Sequence, residues 1–174
     1  MRLLLRRPAL LTVLAAGLVM GTARVQAADP TPAATPTPPV FLKAGEVVRP
    51  FEAEGIDGVK RNVQFPKGQV TILVFFSSGC PHCHKMIPVW NRWFGMRPPK
   101  VAVVGILLDR EPPGFFETVP IAFPVLRAPS RELLDEYKVA RVPLTIRIGP
   151  GGLVEDIGVG DELDGIRMGQ LFRP

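Results

Sequence analysis

Apolar residues fall along this chain in two saturated runs and several periodic ones. Val70–Phe76 (VTILVFF) and Val101–Leu108 (VAVVGILL) are almost wholly apolar and too short for buried helices. Such runs predict strands covered on both faces, as in a sheet with a helix layer on each side. Between them, Met86, Ile87, Trp90, Trp93 and Phe94 recur at helical spacing and predict a helix over 81–95 with one apolar stripe. Pro88 lies inside that helix and is expected to kink it. Phe51–Ile56 predicts a short first strand, Gly55-Ile56-Asp57-Gly58 a turn, and Phe123–Leu126 another short strand. Residues 110–124, rich in proline and aromatics, are expected to be irregular. Ser130 is a good N-cap for a helix through Tyr137. Leu144–Ile148 alternates apolar and polar, Gly149-Pro150-Gly151-Gly152 is a turn, and Leu153–Ile157 is the hairpin partner. Residues 161–172 predict a last helix. Parallel elements come first and an antiparallel hairpin last, which predicts an α/β fold with a mixed central sheet flanked by helices.

The N-terminus follows another pattern. Ala9–Ala23 is apolar apart from Thr12 and Thr22; Arg2, Arg6 and Arg7 precede it, and the small residues of Val25-Gln26-Ala27-Ala28 follow. A basic start, an apolar stretch and a small-residue cleavage point make a secretory signal, so residues 1–27 are expected to be a signal peptide. The stretch of about 15 residues is short of the roughly 20 that span a bilayer. An uncleaved anchor is the alternative. Residues 28–40 carry five prolines between Asp29 and Pro39 and predict a stiff, extended linker. The folded domain is expected over 41–174, exported to the periplasm or an equivalent compartment.

Charge narrows the partners. The chain has 174 residues and a net charge of +5, but residues 1–27 hold four arginines and no acid, leaving 17 basic against 16 acidic residues. A nearly neutral domain without a basic, aromatic-studded face gives no footing for nucleic acid. Contact with a membrane is expected only if the signal segment is retained.

The chemistry lies in two cysteines, Cys80 and Cys83, in the run Cys80-Pro81-His82-Cys83. A disulfide across two residues closes too short a loop to stabilise a fold appreciably, so the CxxC pair calls for a redox role. The predicted strand ends just before Cys80, which stands at the start of the next helix. There, unpaired N–H groups and the helix dipole favour a thiolate. Protonated His82 would add a second positive partner. Pro81 suits the first helical turn, where its missing N–H is not needed. Cys80 is therefore the expected nucleophile, and Cys83, one turn in, the resolving cysteine. A dithiol stabilised in its reduced form gives its disulfide away readily, so Pro-His between the cysteines predicts an oxidant.

The run Phe75-Phe76-Ser77-Ser78-Gly79-Cys80-Pro81-His82-Cys83 resembles the active site of the DsbA-type periplasmic oxidases. The rest of the domain, about residues 45–170, resembles the TlpA/ResA branch of the thioredoxin-like superfamily, through Gly55-Ile56-Asp57-Gly58, Pro88 five residues after the second cysteine, and Val142-Pro143 before a strand, a turn and a strand. The resemblance implies a thioredoxin-like fold, a cis-Pro143 beside the dithiol, and Val142 offering backbone groups to an extended substrate. It also implies clients among exported proteins with cysteine pairs, and a membrane redox partner for recycling. No organic cofactor is implied. Three departures weaken a reductase: Gly79 replaces the usual tryptophan, Met86 an acid of the ResA-type proteins, and Val74 the buried acid of thioredoxins. Only about 32 residues separate Asp109 from Val142, too few for the helical insertion of DsbA proteins.

The same residues fit other chemistries. A TlpA/ResA-like reductase, or a carrier serving one client in cytochrome c or metalloprotein maturation, would use the same pair. Cys80, Cys83 and His84 also spell C-x-x-C-H, the signature of covalent haem, although a buried strand before the motif and a hairpin after it do not suit a helical haem domain. His82 and His84 with the cysteines are metal-ligand types, but four ligands within five residues cannot converge on one ion from a single helix turn. Phe115 and Phe116 are expected either to cap the core or to line a partner surface. Lys85 and Arg141 are expected near the dithiol.

Overall fold

A computed structural model describes residues 40–174. The expected signal peptide, 1–27, and all but the last residue of the expected linker, 28–40, lie outside the described residues.

The centre of the molecule is strand β3 (Val70–Phe76), where six consecutive residues from Thr71 are buried. Counting along the chain, β1 is Phe51–Glu54 and β2 Lys60–Val63; β4 is Val101–Leu107, β5 Val125–Arg127, β6 Leu144–Ile148 and β7 Val154–Val159. The main sheet has the order β5-β4-β3-β6-β7. β3 runs parallel to β4, with Phe76 opposite Leu107, and β4 parallel to β5. β6 is antiparallel to β3, with Leu144 opposite Phe75, and β7 antiparallel to β6. The mixed α/β sheet predicted from the apolar runs is present.

Two-residue alternation splits β3 between two cores. Ile72, Val74 and Phe76 face a cluster with Met86, Ile87 and Trp90 of α1 (Pro81–Met96) and Met168, Leu171 and Phe172 of α4 (Gly165–Phe172). Leu73 and Phe75 face the other cluster, with Leu133 of α3 (Arg131–Glu136), Tyr137 and Ile146. The predicted apolar stripe of α1 is thus its buried face. Trp90 is fully buried, and its indole N–H donates to Thr145 Oγ1 at 3.1 Å. α1 runs unbroken from Pro81 to Met96 through Pro88.

Several boundaries differ from expectation, each for a physical reason. β2 was not predicted, because it reads KRNV and buries only Val63. It pairs with β1 through the turn at Asp57, whose carboxylate accepts the Val59 N–H at 3.1 Å and holds both terminal nitrogens of the Arg61 guanidinium. The short strand expected at Phe123–Leu126 lies at Val125–Arg127, and Phe123 packs in the core instead. The segment 110–124 contains one helical piece, α2 (Phe115–Thr118); Phe115 is buried and Phe116 packs against the same cluster. The last helix starts at Gly165 rather than 161, because Asp164 caps it by accepting the Arg167 N–H at 2.7 Å. All five residues of β6 are buried, the polar Thr145 and Arg147 included. Arg147 reaches the end of α4 there, donating to the carbonyls of Leu171 and Arg173 and, through Nε, to Glu155 at 2.6 Å.

Candidate active site

The site forms at the carboxyl ends of β3 and β4, where ligand crevices of open α/β sheets arise. β3 ends at Phe76, and Ser77-Ser78-Gly79 carries the chain to Cys80. Cys80 is the N-cap of α1, in extended backbone conformation, with Pro81 in the first helical turn. Its sulfur accepts the Cys83 N–H at 3.3 Å, so one of the otherwise unpaired donors of the helix start points at it. Cys80 is partly exposed and Cys83 fully buried, and both are free thiols. Burial, reinforced by the hydrogen bond with Cys80, pushes the Cys83 thiol up to about 12. The two sulfurs therefore have opposite characters: one half-open and held by a helix N-terminus, the other buried and proton-bearing.

The loop before β6 comes up beside them. The Val142–Pro143 peptide is cis, and the Cys80 sulfur lies 3.9 Å from the Val142 carbonyl oxygen, which can accept its S–H. Adjoining this contact is an open groove of about 400 Å³, lined by His82, Arg141, Val142, Pro143, Asp161 and Glu162. The exposed His82 places Nδ1 2.9 Å from Asp161 Oδ2, and Lys85 places Nζ 3.2 Å from the same oxygen. Arg141 lies over the ring of Phe41, 5.3 Å from its centroid.

Beneath the dithiol loop is Asp109, just past β4. Its carboxylate accepts from the Ser77 hydroxyl at 2.7 Å, the Ser78 N–H at 2.9 Å and the Ser78 hydroxyl at 2.9 Å. Burial acts to raise this carboxyl, but the bonds from Ser78 and Ser77 outweigh it and hold the group below the usual carboxylate range. His84 turns back onto the same loop, its Nε2 2.7 Å from the Ser78 carbonyl. A carbonyl only accepts, so Nε2 carries the proton and is already engaged. That engagement, and the 6.0 Å packing of the His84 ring on Phe115, make it a loop clamp rather than an open ligand. Among the described residues no group of three His, Cys, Asp or Glu side chains could hold a metal ion.

Five residues expected at the site thus gather around Cys80: Pro81, His82, Cys83, Val142 and Pro143. Asp109 and Asp161 are additions that no motif marks. Asp109 was legible only as the end of a strand. Parallel pairing of β3 with β4 brings it under Ser77 and Ser78, so the rule that sites form at carboxyl strand ends is the signal that could have found it. Asp161 sits 79 residues from its partner His82 and has no local signal.

The fold and the dithiol define a thioredoxin-like thiol–disulfide oxidoreductase. No family model matches the chain. It is 24% identical over 127 residues to the thioredoxin-like protein YneN of Bacillus subtilis, covering 70% of this chain and 74% of that one. To the thiol–disulfide oxidoreductase ResA of the same organism it is 26% identical over 114 residues, covering 63% of this chain and 64% of ResA, a little under two thirds of that protein's length. The crystal structure of StoA from Bacillus subtilis superposes with a TM-score of 0.57 at 25% identity, covering 64% of this chain and 88% of StoA. The chain is thus similar to thiol–disulfide oxidoreductases such as ResA and StoA.

Proposed function

We propose that the protein is exported after cleavage of residues 1–27, and that its 41–174 domain oxidises cysteine pairs of other exported proteins through Cys80 and Cys83. The observation that carries this reading is the asymmetry of the pair: a helix-capping, half-open Cys80 over a buried Cys83 whose thiol is pushed up to about 12. In the oxidised protein a client thiolate attacks the Cys80 sulfur. The Cys80–Cys83 bond breaks, and Cys83 leaves, taking up the proton the client thiol released. The client's second thiolate then attacks the client sulfur of the mixed disulfide. The client disulfide forms, and Cys80 departs as a thiolate at the helix start. Two electrons have passed to the dithiol, and a quinone-linked membrane partner removes them. Val142, beside the groove, offers backbone groups to an extended client segment, and cis-Pro143 lies alongside. Pro81 starts the helix, and His82, when protonated, adds positive charge at its mouth.

The expected direction rests on Pro-His between the cysteines. Equilibration of the pair against glutathione tests it. A potential close to that of strong disulfide donors supports oxidation of clients, whereas one near thioredoxin's reverses the direction and makes the protein a reductase. Cys83→Ser should trap mixed disulfides with clients, and Cys80→Ala should abolish exchange. Retained function in Cys80→Ala would make the domain a carrier instead. Among the described residues no helix is long and apolar enough to cross a membrane. Fractionation of cells expressing the full chain tests export: signal in the soluble exported fraction supports cleavage, and signal in the membrane fraction an anchor.

A further inference from the structure

Asp161 stands in the loop between β7 and α4, far in sequence from the dithiol, yet it is built into the dithiol's surroundings. Gly160, with φ of 86°, turns the chain there, and its N–H donates to the Pro143 carbonyl at 2.9 Å. The loop is thus tied to the same segment that approaches Cys80. One oxygen of Asp161 takes both His82 Nδ1 and Lys85 Nζ. The Asp161 side chain is 17% exposed, while His82 and Lys85 are 61% and 68% exposed. Its negative charge therefore sits deeper than those of its partners and is less screened than an ordinary surface ion pair. The bond from His82, then that from Lys85, keep this carboxyl below its usual range, so it stays charged wherever the redox pair works.

The groups that set the charge at the groove are Lys85, Arg141 and, when protonated, His82 on one side of the balance, and Asp161 and Glu162 on the other. Positive charge near the start of α1 favours the Cys80 thiolate, which exists only in the reduced protein, and so makes the pair more oxidising; negative charge does the reverse. We infer that Asp161 is a positioning residue of the redox pair: it pins His82 and Lys85 beside the groove and cancels one of their charges, making the pair a milder oxidant than Pro-His alone dictates. The inference rests on the proposed exchange at Cys80 and Cys83. It supplies an acid outside the motif that sets how oxidising the motif is.

The test is the equilibrium constant of the full-length protein against glutathione at low salt. Asp161→Asn should shift it about three- to tenfold toward the reduced dithiol, or about 15–30 mV for a two-electron couple. The shift should shrink in molar salt, where the Debye length is about 3 Å. Asp161→Glu, which keeps the charge, should stay within about twofold of wild type, a margin well below a tenfold, 29.6 mV change. Lys85→Met should shift the constant the opposite way, which guards against an Asp161→Asn variant that fails to fold. In a His82→Ala background the Asp161→Asn shift should differ from that in wild type, because the two side chains act together. An unchanged or lowered potential in folded Asp161→Asn overturns this inference and leaves the proposed exchange standing. A wild-type pair that does not equilibrate with glutathione overturns both.

Discussion

The contrast between the two cysteines predicts selective alkylation of the reduced, folded protein. Burial holds the Cys83 thiol at about 12 against an ordinary value of about 9. Three units remove about a thousandfold of its thiolate at neutral pH, and only the thiolate reacts. Full burial adds a steric block. With iodoacetamide at pH 7, followed by peptide mass spectrometry, Cys80 should be modified at least about a thousandfold faster than Cys83. In denaturing urea the rates should converge. The same shift sets an alkaline limb of stability. Because burial raises the folded value above the unfolded one, the contribution is whole below pH 9 and is lost as pH rises from about 9 toward 12, at about 1.4 kcal/mol per unit. Tyr137, raised by burial and then by Glu136, adds its own alkaline limb in both redox forms. The difference between reduced and oxidised protein therefore removes the Tyr137 limb and leaves that of the dithiol, in which Cys83 carries the raised value. Alkylation of the two cysteines at rates within tenfold of each other in the folded protein, or identical alkaline limbs in the two redox forms, would refute the reasoning.

Other expectations follow from single contacts. Asp109→Asn should destabilise by about 1–3 kcal/mol in urea unfolding at pH 7, since three donors lose a charged acceptor. Asp109 is held below the usual carboxylate range, so the stability it contributes is present above about pH 4 and lost as pH falls; the gap between wild type and Asp109→Asn should close in acid. Gly152→Ala should cost more than about 2 kcal/mol, because the residue sits at φ of 87° and a Cβ would stand 2.0 Å from the Val48 carbonyl oxygen. Arg147→Ala should cost about 2–4 kcal/mol and raise hydrogen exchange in α4, whose terminal carbonyls lose their donor.

The parts of the fold that were legible share one property: their apolar pattern reports burial directly. β3 and β4 read as saturated runs because helices cover both faces of the sheet, and α1 reads as a helix because one stripe packs on it. β2 was hidden because it stays mostly exposed. β6 shows the limit of such patterns: its polar Thr145 and Arg147 are buried with partners far along the chain, Trp90 for the one and the end of α4 for the other. An alternating pattern cannot separate a polar residue facing water from one satisfied inside.

The dithiol shows the same division. Cys80, Pro81, His82 and Cys83 are consecutive, and the strand before them and the helix after them are local. Their position at a helix start was therefore set by the chain itself. The inequality of the two thiols was decided by packing, since Cys83 owes its raised pKa to the core around it. Asp109 and Asp161 joined the site only when strand pairing and the loop after β7 brought distant segments together. A charge acts through space and not along the chain. The sequence alone therefore determined which chemistry this protein carries, and only the tertiary structure decided which acids surround that chemistry and bias it.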